Sequence, residues 1–174
     1  MTMKVIQHVD VGVGGTSSIS FTNIPQNYTD LFVVASLRNS GSNAHVLIGL
    51  NGSTSNFTER YISGYGSGQI SSSTYARYVG NVGTSSYTAN TFGSTSIYIT
   101  NYASSGYKSI LGESVGENNS TTDWAFAFSG NLWSQTAAIT SLQLTNESAA
   151  TILEYSSATL YGILKGTDGT TTVS

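Results

Sequence analysis

Residues 14–38 read GGTSSISFTNIPQNYTDLFVVASLR and contain the only proline of the chain. Within this stretch, Ser18–Phe21 alternates polar and apolar side chains, which is the period of a half-buried β-strand. Pro25 fixes its own φ angle and cannot donate to a β-ladder, so with the flanking asparagines it predicts a turn. Asp30–Arg38 is a nearly continuous apolar run, typical of a buried strand. The stretch therefore predicts two strands joined by a turn.

The rest of the chain repeats this pattern, and no window has the spacing of an amphipathic helix. Further apolar or alternating segments, each bounded by Gly, Asn or Ser, are Lys4–Val9, His45–Asn51, Ser94–Thr100, Tyr107–Val115, Trp124–Trp133, Ile139–Thr145 and Ala158–Lys165. A series of about eight to ten short strands at this spacing is typical of a β-sandwich. We expect a single all-β domain over 1–174, with two sheets, jelly-roll-like connections and a flexible tail at 166–174.

The alternation also predicts which side chains form the apolar core. The expected core residues are Val5, Ile19, Phe21, Leu31, Val33, Ile48, Ile97, Ile99, Leu111, Trp124, Phe126, Leu142, Leu144, Leu160 and Ile163. Tyr98 lies between two of these positions, so we expect it on the opposite face of its strand.

The composition excludes several classes of function. Only 9% of the 174 residues are charged, the net charge is −3, and the six basic residues are scattered, so no nucleic-acid partner is expected. There is no cysteine, which removes disulfides and thiolate zinc sites. The N-terminal residues lack the apolar region of a secretory signal, and no stretch approaches the about 20 apolar residues of a membrane span. We expect a soluble protein that is made in the cytoplasm and has no membrane partner.

Few residues are candidates for chemistry, and we expect no cofactor, no metal and no enzymatic activity. His8 and His45 lie on different predicted strands without neighbouring ligands, so each is interpreted as a strand residue with its ring nitrogens satisfied locally. Glu113 and Glu117 are a possible carboxylate pair for glycoside hydrolysis. On a straight strand they would be about 13 Å apart, which is too far. A bend at Gly116 would bring them closer, so a carbohydrate-active enzyme stays an alternative.

The region Tyr61–Tyr87 is dominated by Tyr, Ser and Gly. One interpretation is a long hairpin or surface loop. The other is a dedicated contact surface, because Tyr supplies a large contact area at a low entropy cost, and Ser and Gly adapt to a partner. The candidate interface residues are Tyr61, Tyr65, Tyr75, Tyr78, Tyr87 and, from its predicted outward position, Tyr98.

A resemblance to a known family is distributed over many short blocks. These occur in the order SSISFTNIPQNYTDLFVVASLR, LNGSTSNFTERY, NTFGSTSIYITNY, ESVGENNSTT, NLWSQTAAITSLQLT and YSSATLYGILK. Together, from Val5 to Lys165, they resemble small β-rich virion structural proteins of tailed phages, of the kind common in cyanophages and marine phages. The resemblance implies a structural protein located in the virion, on the head or the tail, and it carries no catalytic motif.

Two functions fit this resemblance. One is a capsid decoration (cement) protein that stabilises the head shell, and the other is a tail-fibre or receptor-binding module that recognises a cell-surface glycan. The predicted strands begin near Lys4 and end near Lys165, which leaves no room for a fibre shaft and favours decoration. We expect a homo-oligomer, because low charge and surplus Tyr suit a subunit boundary. A homotrimer on the major capsid protein or another virion protein follows from the resemblance and from three-fold shell symmetry.

Overall fold

The computed structural model describes residues 2–65, 69–73, 77–119, 124–147 and 149–164. These residues are all β, with no helix among them and therefore no helix that could cross a membrane. The strands are β1 (Thr2–Asp10), β2 (Ser18–Phe21), β3 (Asp30–Leu37), β4 (His45–Leu50), β5 (Phe57–Tyr65), β6 (Gln69–Ser73), β7 (Tyr78–Asn81), β8 (Gly93–Ile99), β9 (Lys108–Glu117), β10 (Trp124–Trp133), β11 (Leu142–Asn146) and β12 (Ser157–Leu164). The all-β prediction is confirmed, whereas the predicted number of strands was too low. The predicted tail, 166–174, lies outside the described residues.

The strands form two antiparallel sheets, consistent with the predicted β-sandwich. The large sheet has eight strands in the order β1-β12-β3-β8-β9-β10-β5-β6, and the small sheet has four in the order β2-β11-β4-β7. Eight strands are divided equally between the two sheets. Of these, β1, β3, β8 and β12 belong to the large sheet, and β2, β4, β7 and β11 belong to the small sheet. The remaining strands, β5, β6, β9 and β10, extend the large sheet beyond β8, and we call them the hairpin extension.

Part of the Tyr-rich region thus belongs to this extension. β5 and β6 pair antiparallel as a hairpin, which agrees with the hairpin interpretation for the described residues of that segment. The segment then crosses to the other layer, because β7 pairs with β4 in the small sheet. The described residues of the region are therefore mostly strand, and Tyr78, Val79 and Val82 are buried instead of lying on a surface loop.

The main core lies between the small sheet and the β12–β3–β8 half of the large sheet. Most of the predicted core residues are buried there, with at most 4% of each side chain exposed. The residues confirmed in this core are Ile19, Phe21, Leu31, Val33, Ile48, Ile97, Ile99, Leu142, Leu144 and Leu160. Ile163 is also buried, at 4% exposed, but it pairs with Asp30 on the other side of β12 from Leu160 and lies outside this core. For the residues of this core, the alternation therefore predicted correctly which face is buried.

Three further predicted core residues lie elsewhere. Val5 is 59% exposed, because a register shift between Val5 and Gln7 turns Ile6 toward the core instead. Leu111 is 52% exposed and Phe126 is half-buried, since both point away from the small sheet. The side chain of the fourth, Trp124, lies outside the described part of the chain.

The turns of the opening stretch and of Asn51–Gly52 have the expected backbone. Ile24 N donates to Thr140 O at 3.0 Å, and the Tyr102 hydroxyl donates to the carbonyl of Pro25, which fixes the proline turn against the core. Asn51 and Gly52 have φ angles of 51° and 73°, as a tight hairpin turn requires.

Candidate functional site

The hairpin extension carries large apolar side chains on the side that faces away from the small sheet. Their exposed fractions range from 37% to 52%. They are Ile62 on β5, Leu111 and Val115 on β9, and Phe128 and Leu132 on β10. Together with the half-buried Phe126, we call these residues the outer apolar face. Sequence reasoning missed most of them and assigned Leu111 and Phe126 to the core.

The strand register makes these residues neighbours. Val115 pairs with Phe126 across β9 and β10, and Phe128 pairs with Ile62 across β10 and β5. Directly paired side chains of an antiparallel sheet are about 5 Å apart, so the residues form one contiguous patch. Contiguous exposed apolar patches mark interaction sites in soluble proteins.

Two glycines make the surface of this patch uneven. The Phe126 ring lies over Gly64, where an added Cβ would be 2.3 Å from the ring, and its centroid is 6.2 Å from that of Phe128. At Gly130 an added Cβ would meet nothing within 4 Å. An open groove of about 580 Å³ passes over this point, with Tyr98 and Leu111 among its lining residues. The patch is therefore ridged rather than flat.

A second groove of about 320 Å³ lies beside the first on the same side of the sheet. It is lined by hydroxyl groups of β8 and by the apolar side chains of β9 and β10, including Ser96, Val115 and Phe128. The patch and its two grooves together cover the outward side of β8, β9, β10 and β5.

The opposite side of the hairpin extension is buried and carries several polar side chains. Glu59, Ser63, Ser129 and Asn131 are at most 5% exposed, although they face the small sheet. Glu59 Oε2 accepts a hydrogen bond from Tyr78 N at 2.7 Å, and Asn131 Nδ2 donates to Tyr78 O at 2.8 Å. Polar groups of β5 and β10 thus hold β7, and Tyr61, Ala127 and Trp133 are buried on this same side of the two strands.

The candidate tyrosines fall into three groups. Tyr61 and Tyr78 are 6% and 0% exposed and pack together with Leu47 and Ala127, so the structure places them inside the chain and not on its surface. This corrects the expectation for these two residues, and the reason is that β5 and β7 turn these rings toward each other. The side chain of Tyr65, and Tyr75 as a whole, lie outside the described residues.

Tyr87 and Tyr98 are the partly exposed candidates. The carbonyl of Tyr87 accepts a hydrogen bond from Arg38 Nη2 at 3.0 Å. Tyr98 lies on the outward side of β8 as predicted, beside Leu111 of the outer apolar face. Its hydroxyl donates to Asp30 Oδ2 at 2.6 Å, and this hydrogen bond, with burial and the nearby negative charge, raises the pKa of Tyr98.

Both histidines have local partners, as their interpretation as strand residues requires. His8 Nδ1 lies 2.7 Å from Thr159 Oγ1, and its Nε2 lies 3.1 Å from Asp10 Oδ1. His45 Nδ1 lies 2.6 Å from Glu147 Oε2. Among the residues that the structure describes, no three His, Cys, Asp or Glu side chains come together in a way that could hold a metal ion.

The two carboxylates on β9 stay apart. The strand continues from Lys108 to Glu117, so Gly116 does not bend the pair together. Glu113 Oε1 accepts a hydrogen bond from Ser96 Oγ at 2.7 Å, and Glu117 Oε1 accepts one from Asn119 N at 2.9 Å. Each carboxylate is engaged by its own neighbour, which differs from the facing pair of a glycosidase.

The sequence contains only a weak signal for the residues of the outer apolar face. In WAFAFSGNLW, the even-numbered positions hold Trp124, Phe126, Phe128 and Leu132, and the odd-numbered positions hold mainly Ala, Ser and Asn. The alternation alone predicts the aromatic side as the buried one, and only the polar residues of the paired strand β5 argue otherwise.

Comparisons with known proteins give no family for this chain: no family model, no curated protein and no solved structure matches it.

Proposed function

We propose that the chain is a structural subunit of a phage virion, without catalytic activity, that decorates the head shell and assembles through its outer apolar face. The observation that supports this best is the hairpin extension, which buries Glu59 and Asn131 on its inner side and presents Ile62, Leu111 and Phe128 to the outside. An isolated antiparallel sheet normally exposes its polar side to water. A surface with the opposite arrangement suits a subunit that is covered after assembly.

The strand pairing supports a jelly-roll topology for the part of the fold outside the extension. Of its eight strands in chain order, the first pairs with the last, β1 with β12, and the second with the seventh, β2 with β11. The third pairs with the sixth, β3 with β8, and the fourth with the fifth, β4 with β7. Jelly rolls are common in viral capsid domains and in lectins, so the topology fits a virion protein without deciding its role.

The decoration role is tested on intact particles. A gold or fluorescent label on the protein is expected on the head, and heads stripped of the protein are expected to lose heat resistance that returns on adding it back. A label on the tail, or equal heat resistance of stripped and complete heads, would contradict the decoration role. A trimer at three-fold positions, bound to the major capsid protein or another virion protein, stays a prediction from symmetry; it is the alternative to a two-fold dimer, and the mass of the chain in solution distinguishes the two.

The second candidate is a receptor-binding module for a cell-surface glycan, and the groove over Gly130 favours it. Tyr98, Arg60, Thr58 and Ser109 line this groove, so it combines an aromatic ring with hydrogen-bonding groups, as sugar sites do. In this case the label is expected on the tail, and Tyr98→Ala is expected to weaken adsorption to host cells.

A further inference from the structure

We infer that a second copy of the chain covers the outer apolar face, in a two-fold contact of sheet on sheet; this inference rests on the proposed role of that face in assembly. The contact would stack the outward sides of β8, β9, β10 and β5 from the two copies, at the about 10 Å spacing of packed sheets. The outer apolar face would then be the core of an interface and not a free surface.

The size of the face fits this occupant. Strands of 7 to 10 residues run about 30 Å along the face, and four strands cover about 19 Å across it. That gives roughly 570 Å² per copy, or roughly 1,100 Å² for two copies before side-chain relief is added. Specific interfaces begin at about 1,000 Å².

The face carries the opposite charges of Arg60 and Glu113, so two copies of the chain can pair these charges with each other. Arg60 lies beside Gly130 on one side of β10, and Glu113 lies beside Phe128 on the other side. The two charges therefore lie on either side of β10, two residues apart along it. A two-fold axis between the two stacked sheets, above β10 and near its strand direction, brings Arg60 of each copy close to Glu113 of the other.

The pairing of Arg60 with Glu113 favours a second copy over another partner, because the same chain supplies both charges. Both charges also have contacts within their own chain, Arg60 Nη1 with the carbonyl of Glu59 at 2.8 Å and Glu113 with Ser96. Charges at the rim of an interface set orientation more than affinity. The apolar side chains, with Phe128 near the axis, would supply the stability of the contact.

The first experiment measures the mass of the purified full chain in solution, by light scattering and sedimentation at about 50 μM. The wild type is expected to be a dimer, and Phe128→Asp a monomer. Val13→Asp is the matched control, because Val13 is 89% exposed and lies outside the outer apolar face, so this variant is expected to stay dimeric. Circular dichroism and urea unfolding check that each variant is folded.

The second experiment tests the arrangement of the charges. Arg60→Glu alone and Glu113→Arg alone each place like charges opposite one another, and each is expected to weaken dimerisation about tenfold or more. The double variant Arg60→Glu/Glu113→Arg restores opposite charges and is expected to recover most of the loss. A double variant as weak as the sum of the two single variants would overturn the two-fold arrangement.

A wild-type monomer at this concentration, a trimer, or a dimer that Phe128→Asp leaves intact would each overturn the inference. These outcomes are independent of the particle experiment. A dimer whose label lies on the tail keeps the contact and removes the decoration role, whereas a monomer on the head keeps the role and removes the contact.

Discussion

The two halves of the large sheet differ in polarity. In the β12–β3–β8 half, the side that faces the small sheet is apolar, with Leu31, Ile97 and Leu160 fully buried. In the hairpin extension, the corresponding side is mixed, because it buries Glu59 and Asn131 as well as apolar residues, and Phe128 is among the large apolar side chains that point outward. The difference shows that a period-2 alternation defines two faces but does not decide which of them is buried.

What packs on each half explains the difference. The first half meets the apolar strands β2, β11 and β4, which leave room for large side chains. The extension meets β7, whose backbone comes so close that a Cβ added at Gly112 would lie 2.3 Å from the carbonyl oxygen of Val79. Where β7 passes closest, the extension has the small or hydrogen-bonding residues Gly112, Ser129 and Asn131, and the large side chain of Phe128 on the same strand as Ser129 is on the outer side.

The largest expected difference between the halves is in the free energy of unfolding after truncation. Leu160→Ala is expected to lose about 2–5 kcal/mol, because it leaves a cavity in the main core. Phe128→Ala is expected to lose about 1 kcal/mol or less in dilute, monomeric protein, because its ring is 52% exposed. Urea unfolding of both variants measures this, and equal losses would show that the two halves do not differ.

The close approach of β7 is tested by adding one methyl group. Gly112→Ala is expected to lose about 1–3 kcal/mol, since the new Cβ would clash with Val79 O and with Ser129 Oγ. Gly130→Ala, on the neighbouring strand but facing outward into open space, is the control and is expected to be neutral or slightly stabilised. Thermal unfolding distinguishes them, and a neutral Gly112→Ala would contradict the tight contact.

A polar contact within β7, the strand that packs on the extension, predicts a smaller effect. The Tyr78 hydroxyl donates to Asn81 Oδ1 at 3.0 Å inside the chain. Tyr78→Phe removes this bond and is expected to cost about 1–2 kcal/mol of unfolding free energy. Tyr107→Phe is the matched control, because Tyr107 is 60% exposed, and it is expected to change stability very little. Similar values for the two variants would mean that this hydrogen bond contributes nothing.

The smallest expected effect is a dependence on alkaline pH. Burial raises the pKa of Tyr102 in the main core, so the folded chain keeps this proton where the unfolded chain releases it, near pH 10. The stability from Tyr102 is therefore present below that pH and lost as pH rises through the folded pKa. Tyr98, with its raised pKa, contributes with the same sign.

Lys108 works in the opposite direction. Burial lowers the pKa of Lys108, so between the lowered value and the ordinary one the unfolded chain binds more protons, and this contribution to stability rises with pH. Urea unfolding between about pH 8 and 11 measures the net slope. Tyr102→Phe is expected to flatten the alkaline loss, and an unchanged slope would exclude Tyr102 as its source.

For some strands, the sequence predicted both the position along the chain and the side that is buried. β2, β8 and β11 were predicted with their buried sides, because in each of them one face is plainly more apolar than the other. The buried side of β3 was also predicted correctly, whereas β12 was predicted with Leu160 and Ile163 both in the core, although they lie on opposite sides of the strand. β9 was different, since Ile110 and Leu111 are adjacent and both apolar, so either phase buries a leucine-sized side chain. The structure buries Ile110, at 2% exposed, and leaves Leu111 outside.

The sequence by itself determined an all-β chain of low charge, the proline turn, the Asn51–Gly52 turn and most of the main core. These follow from local backbone chemistry and from strands with one clear apolar face. The tertiary structure alone decided that Phe128 and Leu111 of the extension point outward and that Tyr61 and Tyr78 are buried. Both depend on β7 crossing to the small sheet and packing closely on β9 and β10, and a contact between distant strands leaves no local pattern in any one of them.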